Sequence, residues 1–113
     1  MSRAKRLKGR CEPFVRLSKE LLFRGPEWWT LRPGARDVYL LLKAKYNGSN
    51  NGSIRLYYSE IRRRAISGLR SDKAISSAFK ELERVGWIER TQHGGLYRHI
   101  NDYRLTGKHD KLL

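Results

Sequence analysis

Apolar residues along the chain fall into blocks with distinct spacings. Ala35, Val38, Tyr39, Leu42 and Tyr46 recur at i, i+3, i+4, i+7 and i+11, which is one face of a helix. Pro33 suits the first turn of that helix, where a missing N–H costs nothing, and Asn47-Gly48 ends it. A second face is written in Ala74, Ile75, Ala78, Phe79, Leu82 and Val85. Ser71 is a good N-cap for this helix over 71–85, Gly86 takes the position after its end, and Arg84 lies where the dipole favours a cation. Just before it, Ile61 and Ala65 at i, i+4 predict a short helix over 58–65, and Gly68 breaks the chain between the two. Ser18 is placed to cap another short helix through Lys19, Glu20, Leu21 and Leu22, which Gly25-Pro26 stops ahead of Trp28-Trp29.

Elsewhere the polarity alternates with period two. Ile54-Arg55-Leu56 predicts a short strand, and Trp87-Ile88-Glu89-Arg90-Thr91 a second. Gln92-His93-Gly94-Gly95 then forms a turn, and His99 to Leu105 a returning strand. The stretch 47–53, with two Asn-Gly pairs, is an exposed loop. Residues 1–12 read as a disordered basic arm, 13–106 as the folded domain and 107–113 as a flexible tail.

A chain of 113 residues, 39% of them apolar, suits one α+β domain with its own core. No apolar run approaches the roughly 20 residues needed to span a bilayer. Nor does a roughly 7–15-residue apolar stretch follow the basic start, so a secretory signal is not expected. A lone Cys11 cannot form an internal disulfide, which fits a reducing cytoplasm. Charge changes the picture most. Twenty-five Lys and Arg stand against eleven acids, a net +14 with five cations and no acid in the first ten residues. Such a surplus repels itself unless a polyanion neutralises it. Nucleic acid is the leading partner class, with anionic membrane second.

The order helix, strand, short helix, tight turn, long helix, β-hairpin predicts a winged helix-turn-helix: a three-helix core, a small antiparallel sheet and a C-terminal hairpin wing. In that arrangement one helix braces across the DNA backbone while the second presents an exposed face to the major groove. If the apolar set of the 71–85 helix faces the core, then Lys73, Ser76, Ser77 and Lys80 are left outside as candidate readers of base edges. Arg70 and Ser71 stand at the helix start, where free N–H groups favour phosphate. Of the run Arg62-Arg63-Arg64, at most two can face phosphate at once, because successive helical residues diverge. Set against this, a polar helix face is commonly just a solvated one.

The segments Leu56-Tyr57-Tyr58-Ser59-Glu60-Ile61, Gly68-Leu69-Arg70-Ser71 and 74–88, with its Leu82-Glu83-Arg84-Val85-Gly86-Trp87-Ile88 ending, resemble the bacterial and phage winged-helix pattern. There a recognition helix ends in Leu-Glu-x-x-Gly, followed by an aromatic or aliphatic residue and Ile. Trp29-Thr30-Leu31, Ala35-Arg36-Asp37-Val38-Tyr39 and the Tyr46–Gly52 loop are similar to small proteins of phages and mobile elements, some of them replication-initiator-like. One departure is Tyr57, where that pattern has a Ser or Thr cap. The resemblance implies DNA contacts from Arg70, Ser71, Lys73, Ser76, Ser77 and Lys80, joined in the wing by Gln92, His93, Arg98 and His99. The arm residues Arg3, Lys5 and Arg6 resemble minor-groove arms, and a phosphate tether is the plainer role for them.

Other chemistry lacks its constellations. One Cys and three His show no paired zinc spacing, His99-Ile100-Asn101 has only the first histidine of a nicking enzyme's pair, and no phosphate loop with a trailing Lys-Ser/Thr exists. The expectation is a cytoplasmic, nucleoid-associated double-stranded DNA binder with no catalytic residues, no cofactor and no metal. Two other readings stay open: a ribosomal-type RNA-binding protein, and a module docking onto a replication or transcription protein. Leu21, Leu22, Phe23 and Trp28-Trp29 serve either a homodimer or, the favoured view, the core of a monomer.

Overall fold

A computed structural model of the chain describes residues 13–64, 66, 68–92 and 101–112. Ser18 Oγ accepts from Glu20 N–H at 3.1 Å and starts α1 (Lys19–Phe23). Gly25-Pro26 stops that helix, as expected, and Pro26 at once opens a second, α2 (Pro26–Thr30), because its fixed φ suits a first helical position. Helix α3 (Pro33–Lys45) buries Ala35, Val38, Tyr39 and Leu42, with Tyr46 just beyond its end half-buried. The short helix expected over 58–65 is α4 (Tyr58–Arg63), with Arg64 as its C-cap; Ala65 lies outside the described residues. Tyr57 heads it without a side-chain cap: instead Glu60 Oε1 reaches back to accept from Tyr57 N–H at 2.9 Å.

Helix α5 (Asp72–Val85) carries both of its expected ends. Ser71 Oγ accepts from Ala74 N–H at 3.1 Å. At the other end Gly86, at φ 93°, lets its own N–H reach Glu83 O and that of Trp87 reach Leu82 O at 2.9 Å. This Schellman closure turns the chain directly into the sheet. A side chain at Gly86 would have to adopt the left-handed region at a cost of about 1 kcal/mol or more.

Strands β1 (Ile88–Gln92) and β2 (Asp102–Leu105) pair antiparallel, Ile88 opposite Leu105 and Arg90 opposite Tyr103, with a bulge between Arg90 and Gln92. The strand expected at Ile54-Arg55-Leu56 reduces to one bridge, Ile54 to Tyr103. Side chains do the rest of the joining there. Asn51 clips both backbone groups of Leu105, Thr91 Oγ1 donates to Gly52 O, and Arg55 pairs with Asp102 at 2.6 Å. Among the described residues, then, the chain is an α+β fold of five helices and a two-stranded antiparallel sheet.

The core gathers where α3 and α5 pack together and β1 follows α5. Trp28, Tyr39 and Trp87 meet edge to face at ring separations of 5.1–6.0 Å, while Tyr58, Phe79 and Tyr103 form a parallel stack. Each aromatic pair adds about 0.5–1.5 kcal/mol beyond the area it buries. Leu21 and Trp28 are core residues, whereas Phe23 and Trp29 stay exposed.

The segment expected as a flexible tail, 107–113, differs from expectation over its described part. His109 lies against Trp87 at 4.9 Å and its Nε2 meets Val85 O. Asp110 is 2% exposed. Its Oδ2 accepts from Tyr39 Oη and, at 2.6 Å, from Lys43 Nζ, which also donates to Arg16 O. A polar stretch docks here because a buried ammonium on α3 requires a counter-charge. Burial, reinforced by the Asp110 hydrogen bond, pushes the Tyr39 phenol far above its ordinary value.

Candidate nucleic-acid interface

The amphipathic pattern of α5 settles which side faces out. Ile75, Ala78, Phe79 and Leu82 are buried, so Lys73, Ser77, Lys80 and Arg84, at i, i+4, i+7 and i+11, form an exposed row with Ser76 half-buried beside it. Arg84 was expected only as a cation at the helix end. Its place in this row follows from the same i+4 and i+7 spacing applied to Lys80 and Ser77. Arg70 and Ser71 are exposed at the head of the helix.

What distinguishes this face is the state of the acids around it. Asp72, in the first turn, is held by Arg62 of α4. Glu81 Oε2, on one flank, accepts the Arg32 backbone N–H at 3.0 Å, and Glu83, on the other, meets Arg90 at 3.3 Å. Lys73, Lys80, Arg84, Arg70 and Arg63 have no ion-pair partner among the described residues. Among the described residues, seven of the ten acids sit in ion pairs, none of them with Arg63, Arg70, Lys73, Lys80 or Arg84. One such pair, Lys45 with Glu60, holds the Glu60 carboxyl below the usual carboxylate range through its hydrogen bond.

The structure therefore divides the expected set. Arg70, Ser71, Lys73, Ser76, Ser77 and Lys80 come together on one surface. Arg62 is engaged by Asp72, and Arg64 Nη1 donates to Glu60 O, which leaves Arg63 as the α4 cation without a partner among the described residues. Gln92 is exposed at the end of β1. Arg3, Lys5, Arg6, His93, Arg98 and His99 lie outside the described residues.

Two recesses flank α5. One, about 380 Å³, lies between the helix and the start of α3, lined by Arg32, Gly34, Ser71, Lys73, Ser77 and Glu81. The other, about 350 Å³, opens among Tyr57, Tyr58, Asn101 and Tyr103, with the Arg62–Asp72 pair at its edge. Among the described residues, no three His, Cys, Asp or Glu side chains converge, and no helix is long and apolar enough to cross a membrane. Compared with known protein families, characterised proteins and solved structures, the chain matches none.

Proposed function

We propose that this chain is a winged helix-turn-helix protein that binds double-stranded DNA, with α5 in the major groove, α4 as the brace and the β1–β2 hairpin as the wing. The role is that of a transcriptional regulator or replication-origin binder of phage or plasmid type, acting in the cytoplasm on the nucleoid and performing no catalysis. One observation carries the reading. Among the described residues, the cations of the exposed α5 row have no ion-pair partner, while each of the three acids of that helix is tied to another part of the protein. These contacts also brace the fold, and a face opposed to phosphate gains from them in addition, because each acid is turned to a donor within the protein and less toward the phosphates. Small side chains at Ser76 and Ser77 let the helix approach base edges closely, while Lys73, Lys80, Arg84 and Arg63 supply phosphate contacts that fix register.

The test is a titration against a 20-base-pair duplex and against a structured RNA of equal charge, at several salt concentrations, with the Lys73→Ala/Lys80→Ala double variant in parallel. Duplex DNA is expected to win, with log K falling against log salt at a slope of about −5 to −7 if six to eight phosphates are neutralised. The double variant should lose roughly two units of that slope. Preference for RNA, or unchanged DNA binding by the variant, defeats the assignment of α5 as the reading helix. A-form RNA hides its major groove from side chains, so an RNA binder would have to use another surface.

A further inference from the structure

The loop between α3 and the Ile54 bridge contains the tripeptide Asn-Gly-Ser twice, at 47–49 and at 51–53, and the two copies are held very differently. In the first, Asn47 Oδ1 accepts two hydrogen bonds from Ser49, from its N–H at 2.9 Å and from its Oγ at 3.1 Å. Neither Asn47 Nδ2 nor the Gly48 N–H has a partner among the described residues, and both residues are exposed. In the second, the Asn51 amide is locked at both ends: Nδ2 donates to Leu105 O at 3.1 Å, and Oδ1 accepts from Leu105 N–H at 2.8 Å. The Gly52 N–H is likewise committed, donating to Tyr103 O at 3.2 Å.

We infer that Asn47 is a site of spontaneous covalent modification, cyclising onto Gly48, and that the fold protects Asn51 from the same reaction. In the step, solvent base removes the Gly48 amide proton and the nitrogen attacks Asn47 Cγ. The new N–Cγ bond closes a five-membered imide. The Cγ–Nδ2 bond then breaks, and Nδ2 takes a proton from water and leaves as ammonia. Water opens the imide at either carbonyl, giving aspartate or its β-linked isomer at position 47 and one added negative charge. During the attack Oδ1 carries the developing negative charge, and the two Ser49 donors already point at that atom, at distances suited to stabilising an oxyanion. At Asn51 the nucleophile and the leaving nitrogen are both held in hydrogen bonds that must open first. Giving up two such bonds slows a reaction by roughly tenfold or more.

Because the two tripeptides are identical, each serves as the control for the other. The full chain is incubated at neutral pH, digested and mapped by mass spectrometry for the gain of one mass unit at each site, in buffer and in concentrated urea. Expected is conversion at Asn47 at least roughly tenfold faster than at Asn51 in the folded protein, converging to similar rates once urea removes the fold. Ser49→Ala, an exposed change, should slow Asn47 in buffer and leave its rate in urea unaltered. Equal rates in the folded protein, a faster Asn51, or a difference that persists in urea would each overturn the inference. A Ser49→Ala variant converting at the parent rate would remove the part assigned to the Ser49 hydroxyl.

Discussion

Lysines 43 and 80 stand on the two principal helices of this fold, and they have opposite environments. Lys43 on α3 is buried, its ammonium enclosed by Asp110 and Arg16 O. Lys80 on α5 is exposed in a row whose cations have no ion-pair partner among the described residues. Near the core, a positive charge is tolerated only because a carboxylate was brought to it from a distant part of the chain. On the outer face, the three carboxylates of α5 are each engaged by a group on another element. A single sequence thus holds the same residue type buried against a carboxylate in one place and open to solvent in the other, and the placement of acids decides which. The two regions should respond independently to mutation.

The largest effect is expected from Asp110→Ala. It leaves the Lys43 ammonium buried without a counter-charge, so urea denaturation should show a loss of about 3–5 kcal/mol. A loss under about 1 kcal/mol would mean that this segment does not hold the core. Whatever protein remains folded should keep its salt-dependent affinity for duplex DNA. The Lys73→Ala/Lys80→Ala variant should do the reverse, binding more weakly while its stability stays within about 0.5 kcal/mol of the parent. A large stability loss in this variant would erase the contrast between the two regions. Arg84→Ala sharpens it further: on the proposed face it removes about one unit of salt slope, and on a solvated helix end it removes none.

The smallest effect near neutral pH belongs to the buried phenols. Burial pushes Tyr103 up to about 12 and Tyr39 higher still, the latter helped by Asp110. Their folded values lie above the unfolded value of about 10, so the folded state retains protons that the unfolded chain releases. Their contribution is complete below about pH 10 and is lost as pH rises toward the folded values. Ultraviolet titration of phenolate should show some of the six tyrosines ionising late, together with unfolding. If all six titrated together near their ordinary value while the protein stayed folded, the buried positions of Tyr39 and Tyr103 would be refuted.

Helix α5 was legible almost residue by residue, because its information is local: a capping serine, an apolar face and a glycine after the last turn. The exposed row followed from the same periodicity. What was hidden depended on partners far along the chain. Helix α2 is five residues long, too short for any period to show, so the sequence treats Trp28 and Trp29 alike, whereas only Trp28 enters the core, beside Tyr39 and Trp87. Ile54-Arg55-Leu56 alternates as a strand should, yet alternation does not provide a neighbouring strand, and only Ile54 finds a bridge. The segment around Asp110 reads as a tail because Gly, Lys, His and Asp carry no apolar pattern; its anchor is an ammonium buried on another helix. Arg62 looked free for phosphate because its partner, Asp72, sits ten residues on, across a turn.

The docking of Asp110 has a consequence for the order of events during synthesis. Lys43 must wait for a carboxylate 67 residues further along. At about 5–20 residues per second, that interval is roughly 3–13 s. Throughout it, helix α3 can form, but the site around Lys43 must remain hydrated, since an unpaired ammonium will not leave water. Closure of this part of the core therefore waits for synthesis of the segment around Asp110, and the nascent chain passes through a stage in which Tyr39 lacks its final partner.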